Sequence, residues 1–190
     1  TVGPGGLFRA LRTIPIYFEF AKMIKKYCPD AWVINYTNPM TLCTRALYEA
    51  FPEIKAFGCC HEVFSTQILL TDVLSEIANI KHVKRDEIKV NVKGINHFTW
   101  IDKATYKGID IIPLYDQFIE KYSNEGYFDS RQKSRDKEDA YYFGCHNLVK
   151  FDLYKRFGII AAAGDRHLAE FVPWYIKSPE KVKQDTVDIV

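Results

Sequence analysis

The order of helical and short apolar segments between residues 13 and 77 constrains the fold of this chain more than any other feature. Three segments have the three-and-four spacing of apolar residues that is typical of an amphipathic helix, and two short apolar runs lie between them. We predict helices over Thr13–Tyr27, Met40–Ala50 and Val63–Ile77, with buried strands over Ala31–Tyr36 and Ile54–Cys59. Helices that alternate with buried strands predict a parallel sheet with helical crossovers.

Glycine and proline shape the prediction for the N-terminal segment. Thr1–Gly6 is rich in glycine but does not have the G-x-G-x-x-G spacing, and we interpret it as a loop. Pro15 suits the first turn of the helix that follows, where the missing N–H costs nothing.

The sequence changes character near residue 90, and we predict a domain boundary there, with domains over 1–90 and 91–190. Residues Ile88–Val92 alternate between apolar and polar side chains, as in a half-exposed strand. We then predict a hairpin turning at Lys107-Gly108, a helix over Pro113–Tyr122, a surface loop over Tyr122–Asp139, a helix over Ala140–Phe157, a strand or turn over Ile159–Ala163 and a helix over His167–Ile176.

Composition excludes several classes of protein. The chain has 190 residues, with 26 Lys and Arg against 24 Asp and Glu, and this near balance argues against a nucleic-acid partner. No apolar stretch is long enough to span a membrane. Five cysteines, including the adjacent pair Cys59 and Cys60, favour a reduced, cytoplasmic protein over a disulfide framework.

Polar loops follow both predicted strands of the parallel sheet. Residues 35–39 follow the first strand and residues 58–62 follow the second. Ligands of such sheets bind at the carboxyl ends of the strands, so we expect a site there. Asn38 has an amide that can donate and accept hydrogen bonds and so suits a diol, or it caps the next helix.

Cys60 and His97 are candidate metal ligands. A thiolate and an imidazole are two of the ligands that a divalent metal takes, and open positions would remain for substrate and water. Their separation in sequence does not match a zinc finger, and a buried thiol with a hydrogen-bonded core histidine is the alternative.

A charged cluster, Gly164-Asp165-Arg166-His167, follows a run of small residues. We interpret it either as a helix start capped by Asp165 or as a base and an anion-binding arginine in a cleft. We expect Tyr141-Tyr142 and Cys145-His146 to lie on a helix face.

Five segments of this chain, in order, resemble glycoside hydrolase family 4, the NAD- and metal-dependent glycosidases. They are residues 1–12, Val-Ile-Asn-Tyr-Thr-Asn-Pro-Met at 33–40, Gly-Cys-Cys-His-Glu-Val-Phe at 58–64, Gly-Ile-Asn-His-Phe-Thr-Trp at 94–100 and Ala-Ala-Gly-Asp-Arg-His-Leu-Ala-Glu-Phe at 162–171. The sequence Cys60-His61-Glu62-Val63 is similar to that of the branch that acts on uronic acids, α-galacturonidases first and α-glucuronidases next.

The resemblance implies an α/β fold: the second half of a Rossmann-like parallel sheet, then the start of an α+β substrate domain, together a fragment of a larger two-domain enzyme. It implies NAD and Mn²⁺ as cofactors and a homo-oligomer, a dimer or a tetramer. The expected site residues are Cys60 and His97 for the metal, Asn35 and Gly5 for the cofactor, Asn38, Arg166 and His167 for the substrate, and His61 and Asp165 for catalysis.

The implied reaction is hydrolysis of an α-linked galacturonide by oxidation at C3, elimination across C1 and C2, addition of water and re-reduction. In this interpretation Arg166 meets the uronate carboxylate. A glycine-rich phosphate-binding turn is expected before Thr1. The alternatives are an α-glucuronidase or neutral α-glycosidase of the same family, an NAD-dependent dehydrogenase of small hydroxy acids, and a non-catalytic piece.

Overall fold

The computed structural model describes residues 3–133 and 144–184, and the chain divides into two compact units, Thr1–Cys60 and His61–Val190. The predicted boundary near residue 90 stays a prediction. Among the described residues, no helix combines the length and the apolarity that a membrane span requires. No disulfide is formed there, although all five cysteines lie in the described ranges.

The first unit is a two-stranded parallel sheet with helices. The bounds are α1 Gly3–Tyr27, β1 Trp32–Asn35, α2 Met40–Ala50 and β2 Lys55–Gly58. Strands β1 and β2 pair in parallel from Trp32 opposite Lys55 to Asn35 opposite Gly58. Helix α2 is the crossover between them, so the predicted order of helices and parallel strands is confirmed.

Two predictions for this unit are wrong. Residues from Gly3 onward belong to α1 rather than to a loop, and Pro15 lies inside that helix rather than in its first turn. Helix α1 packs against α2, and the buried Ala21 of α1 shares one core cluster with Cys43 and Leu47 of α2. Gly3 and Gly5 are exposed at the start of α1, so the helix extends over them although glycine has a low intrinsic helix propensity.

The strands of this sheet are less buried than predicted. Trp32 is 70% exposed and Ile34 is 55% exposed, whereas Val33 and Ala56 contact the core formed with α1 and α2. Alternate side chains of a strand point to opposite faces, so only one face of β1 is covered in the described part of the chain.

The second unit combines an antiparallel sheet with helices. Its elements are α3 Glu62–Ala78, β3 Ile88–Ile95, β4 Phe98–Tyr106, β5 Ile109–Asp110, α4 Ile112–Tyr122, α5 Ser130–Lys133, α6 Leu148–Phe157, β6 Ile160–Ala161, α7 Asp165–Phe171 and α8 Pro179–Gln184, with 3₁₀ turns at Arg85–Glu87 and Pro173–Ile176. Strands β3, β4 and β5 are neighbours in that order, and β6 pairs with β4. The hairpin at Lys107-Gly108 and the helix ending at Tyr122 are confirmed.

The core of this unit lies between α3, α4, α6 and the sheet. It includes Leu70, Phe118 and Phe151, none of which is exposed. Burial of a side chain of this size contributes roughly 1.5–3 kcal/mol. This core fixes α3 and α6, and both helices carry residues of the site described below.

Three predictions for the second half are corrected by the structure. The predicted loop over Tyr122–Asp139 contains α5 and buries Gln132, and its residues 134–139 lie outside the described ranges. Within the described part of the predicted helix over Ala140–Phe157, the helix begins at Leu148, because Asn147 has a left-handed backbone with φ of 61°; residues 140–143 lie outside the described ranges. The last predicted helix is split by Pro173, which starts a 3₁₀ turn.

Candidate functional site

A cavity of about 350 Å³ lies within the unit His61–Val190. Its lining combines the first turns of α3 with α5, the start of α6 and the start of α7. The lining residues are His61, Glu62, Ser65, Asp129, Arg131, Gln132, Gly144, Cys145, Asn147, Lys150, Gly164, Arg166 and His167. Most are polar, so the cavity is suited to a hydrophilic ligand rather than to an apolar one.

His97 lies in the two-residue turn between β3 and β4. Its backbone is left-handed, with φ of 63°, and its side chain is buried. Burial, with a smaller effect of the nearby His167, lowers the pKa of His97 to about 4. The imidazole is therefore neutral near pH 7, and neutral imidazole is the form that binds metal ions.

His167 holds the ring of His97 in place. The two imidazoles are stacked, with 3.8 Å between ring centroids and 10° between ring planes. Burial also lowers the pKa of His167, although the Glu62 carboxylate opposes this effect. His167 lines the cavity, so the stack links His97 to the cavity wall.

Glu62 connects three parts of this wall. Its Oε2 accepts a hydrogen bond of 2.8 Å from the N–H of Gly164, and its Oε1 lies 3.6 Å from Nε2 of His61 and 4.0 Å from Nε2 of His167. Its side chain is only 15% exposed. Glu62 therefore ties the beginning of α3 to the beginning of α7.

A buried polar cluster lies around Asp165. One carboxylate oxygen of Asp165 accepts a hydrogen bond of 3.0 Å from the backbone N–H of Lys150, at the start of α6. Burial raises the pKa of Asp165 to about 6, although Lys150 and the amides at the start of α6 oppose it. Asp165 thus caps a helix, but this helix is α6 and not the helix in which Asp165 itself lies.

Cys145 belongs to the same cluster. Its Sγ accepts a hydrogen bond from the Asp165 N–H at 3.4 Å. Burial, followed by the negative charge of Asp165, raises the pKa of this thiol to about 12. Cys145 precedes α6 and does not lie on a helix face as predicted, and the same holds for His146. Tyr141 and Tyr142 lie outside the described residues.

Helix α5 brings an arginine to the cavity. Nη2 of Arg131 donates to Oγ of Ser65 at 3.0 Å, and Arg131 lies 4.0 Å from the Asp129 carboxylate. Asp129 accepts hydrogen bonds from the backbone and the side chain of Gln132. Gln132 in turn accepts one from the N–H of Cys145.

Predicted site residues in the first unit have mainly local partners. Asn35 is buried at the end of β1, where its amide bonds Tyr17, Thr37 and Thr44 at 2.7–3.1 Å. Oδ1 of Asn38 accepts a hydrogen bond from the N–H of Met40 at 3.3 Å, at the start of α2.

Gly5 and Cys60 complete the predicted set in this unit. Gly5 lies, exposed, in the first turns of α1. Cys60 is partly exposed after β2.

The structure thus brings some predicted residues together and leaves others apart. His61, Arg166 and His167 line one cavity, with His97 stacked on His167. Asp165 is not among the described residues that line it. Sequence reasoning missed Glu62, Ser65, Arg131 and Lys150 as cavity residues. Glu62 follows Cys60-His61 directly, and this position after a strand end could have suggested it.

The described residues contain no group of three or more His, Cys, Asp or Glu side chains that could hold a metal ion. The neutral ring of His97 fits a metal ligand by its donor chemistry and by its fixed orientation. The assignment of Cys60 and His97 as metal ligands stays a prediction.

Two family models match this chain. The model of family 4 glycosyl hydrolases matches residues 1–76, and the model of the family 4 glycosyl hydrolase C-terminal domain matches residues 92–188. An alpha-galacturonidase from Thermoanaerobacter italicus is 64% identical over 96% of this chain, and the alpha-galacturonidase of Bacillus subtilis is 52% identical over 95%. The chain spans about 39–40% of the length of these curated relatives.

Solved structures agree with these matches. The crystal structure of lplD from Bacillus subtilis superposes with a TM-score of 0.86 at 52% identity, over 95% of this chain and 41% of that one. A 6-phospho-alpha-glucosidase from gut microorganisms, solved with NAD and Mn²⁺, has a TM-score of 0.66 at 21% identity over 98% of this chain and 40% of that one. The second match shows a shared fold alone. The two family models cover most of the sequence, and the chain belongs to glycosyl hydrolase family 4.

Proposed function

We propose that the full-length protein releases galacturonic acid from α-linked galacturonides. Relatives at 52–64% identity over almost the whole chain are named alpha-galacturonidase. The polar cavity with basic side chains at Arg131, Lys150 and Arg166 is the structural observation that carries this proposal. Basic groups in a concave site suit a sugar that carries a carboxylate.

We propose that Cys60 and His97 hold the catalytic Mn²⁺. The structural support is the neutral, buried and stacked imidazole of His97. When bound, NAD and the metal would supply reversible oxidation at the sugar and stabilisation of the negative charge that develops on its oxygens. Because the proposal requires a thiolate at Cys60, we place the enzyme in the reducing cytoplasm.

The residues that the sequence assigns to NAD fit that role less well. The amide of Asn35 is engaged by Tyr17, Thr37 and Thr44, and Gly5 is helical. Their contact with the cofactor stays a prediction, as does the homo-oligomer.

We propose roles for the remaining predicted residues of the second unit, and their positions support these roles. His61 is the proposed proton donor or acceptor at the sugar, since its side chain is 71% exposed and the Glu62 carboxylate, 3.6 Å away, can orient its ring. Arg166 and His167 on the cavity wall would bind the sugar. Asp165 as the base stays a prediction, and its carboxyl group also has the structural task of capping α6.

The proposal is tested with full-length protein and an α-galacturonide. We expect release of galacturonic acid that requires NAD⁺, Mn²⁺ and a reductant, without accumulation of NADH. Cys60→Ser should abolish turnover, and Cys59→Ser, at the adjacent position, is the matched control that should retain it.

Two results would contradict this proposal. Turnover that is unaffected by a chelator and by Cys60→Ser would exclude the metal role of this thiol. Stoichiometric NADH accumulation with a 2-hydroxy acid, without hydrolysis of the galacturonide, would favour the dehydrogenase alternative.

A further inference from the structure

Lys150 is a buried cation on the wall of the cavity. The residue is only 3% exposed, yet it lines the cavity. Within the described ranges, its Nζ makes one hydrogen bond, to Oγ1 of Thr66 at 3.3 Å. An ammonium group has three N–H donors, and a buried charged donor without an acceptor is costly. Lys150 therefore has donor capacity left for an acceptor inside the cavity.

Asp165 fixes the position of this lysine. Its carboxylate accepts the backbone N–H of Lys150 and its charge interacts with the ammonium group. Asp165 is absent from the described residues that line the cavity, whereas Lys150 is among them. The Asp165 carboxylate thus provides a negative charge for the lysine without lining the cavity.

The acidic side chains that line the cavity in the described part of the chain, Glu62 and Asp129, already accept hydrogen bonds. Glu62 accepts the N–H of Gly164, and Asp129 accepts two hydrogen bonds from Gln132. Among the described residues, Arg131, Lys150 and Arg166 line the same cavity with long basic side chains. An anionic ligand is therefore favoured over a cationic one.

Arg131, a second basic residue of the cavity, is bonded to the residue of α3 that precedes the partner of Lys150. Arg131 donates to Ser65, and Lys150 donates to Thr66, the next residue of the same helix. The two hydroxyl groups thus place a guanidinium and an ammonium group beside one turn of α3. Paired basic groups of this kind suit the two oxygens of a carboxylate.

We infer that Lys150 is the specificity-determining residue that binds the carboxylate of the uronic acid, with Arg131 as its neighbour on the same helix turn. The inference rests on the proposed function, because it assumes that the cavity takes a uronic acid. It assigns to Lys150 a role that the sequence-based interpretation gave to Arg166 alone.

The test uses full-length protein with NAD⁺ and Mn²⁺ in the buffer. Binding of D-galacturonate and of D-galactose, which lacks the carboxylate, is measured by calorimetry for the wild type and for Lys150→Met. We expect the affinity for galacturonate to fall at least about tenfold and the affinity for galactose to change less than about twofold. Lys155→Met, at an exposed lysine of the same helix, is the matched control and should bind as the wild type does.

A folding defect is handled by a second variant. If circular dichroism shows that Lys150→Met does not fold, Lys150→Met with Asp165→Asn removes both charges of the buried pair and keeps an oxygen that can accept the N–H at the start of α6. The same selective loss of galacturonate affinity is expected from the double variant.

The inference is overturned if the variant binds galacturonate as the wild type does, or if it loses affinity equally for both sugars. It is also overturned if the wild type binds the two sugars equally well. A different result would contradict the proposed function: the wild-type protein would bind galacturonate selectively but release none from a galacturonide.

Discussion

The burial of Asp165 predicts how the free energy of unfolding changes with pH. Its pKa in the folded protein is raised to about 6, mainly because burial disfavours the charged carboxylate. In an unfolded chain an aspartate titrates near ~3.9. Between these two pH values the folded state holds a proton that the unfolded state has lost.

The contribution of Asp165 to the free energy of unfolding therefore falls as the pH rises from about 4 to about 6, and it is constant above that range. A difference of about 2 pH units corresponds to about 3 kcal/mol. Asp165→Asn cannot ionise, but its amide oxygen can still accept the N–H of Lys150. We expect the stability of this variant relative to the wild type to rise by about 3 kcal/mol between pH 4 and pH 7.

The measurement is urea unfolding of the full-length protein at closely spaced pH values, followed by fluorescence and circular dichroism. Asp152→Asn is a control for which the stability relative to the wild type should fall, rather than rise, as the pH increases. Burial would raise the pKa of Asp152, but hydrogen bonds from Arg156 and Tyr175 outweigh it and lower this pKa. A difference between Asp165→Asn and the wild type that stays constant from pH 4 to pH 7 would refute the reasoning.

Two further predictions concern Gly94 and Cys145. Gly94→Ala should lower the melting temperature, because φ is 107° and the new Cβ would lie 2.4 Å from a backbone carbonyl oxygen of β4. The backbone strain alone costs about 1–3 kcal/mol. Gly5→Ala is the control, and it should not destabilise the fold because there is open space around Gly5. Equal melting temperatures for the two variants would contradict this account. Cys145 should resist alkylation, because a thiol with a pKa of about 12 is roughly a thousandfold less ionised near pH 8 than an ordinary one. Mass spectrometry of iodoacetamide-treated native protein should show the exposed Cys28 modified and Cys145 intact, and early modification of Cys145 would argue against its burial.

Local patterns were sufficient for much of the fold. Helix α2 begins and ends where its apolar spacing predicts, and both parallel strands lie within the predicted runs. The predictions failed where a local preference and a tertiary contact disagree. Gly3–Gly6 is helical although its glycines indicate a loop, and the helix that ends at Phe157 begins only at Leu148, because the side chain of the left-handed Asn147 bonds the carbonyl of Tyr127.

The site was predictable only in part, for a related reason. A motif such as Cys60-His61 or Asn96-His97 identifies residues with suitable chemistry, but not their partners. The stack of His97 on His167 joins residues 70 positions apart, and the bond from Lys150 to Thr66 joins residues 84 positions apart. Arg131 lay in a segment that looked like a surface loop, so nothing local indicated that it lines a cavity.

The sequence by itself determined the alternation of helices and strands, the family resemblance and the chemical types available at the strand ends, because periodicity and motifs are local properties of a chain. Only the tertiary structure decided which of these groups meet, which are buried and which keep a charge. Burial and proximity arise when distant segments pack together, and they set the neutral state of His97 and the placement of Lys150 on the cavity wall.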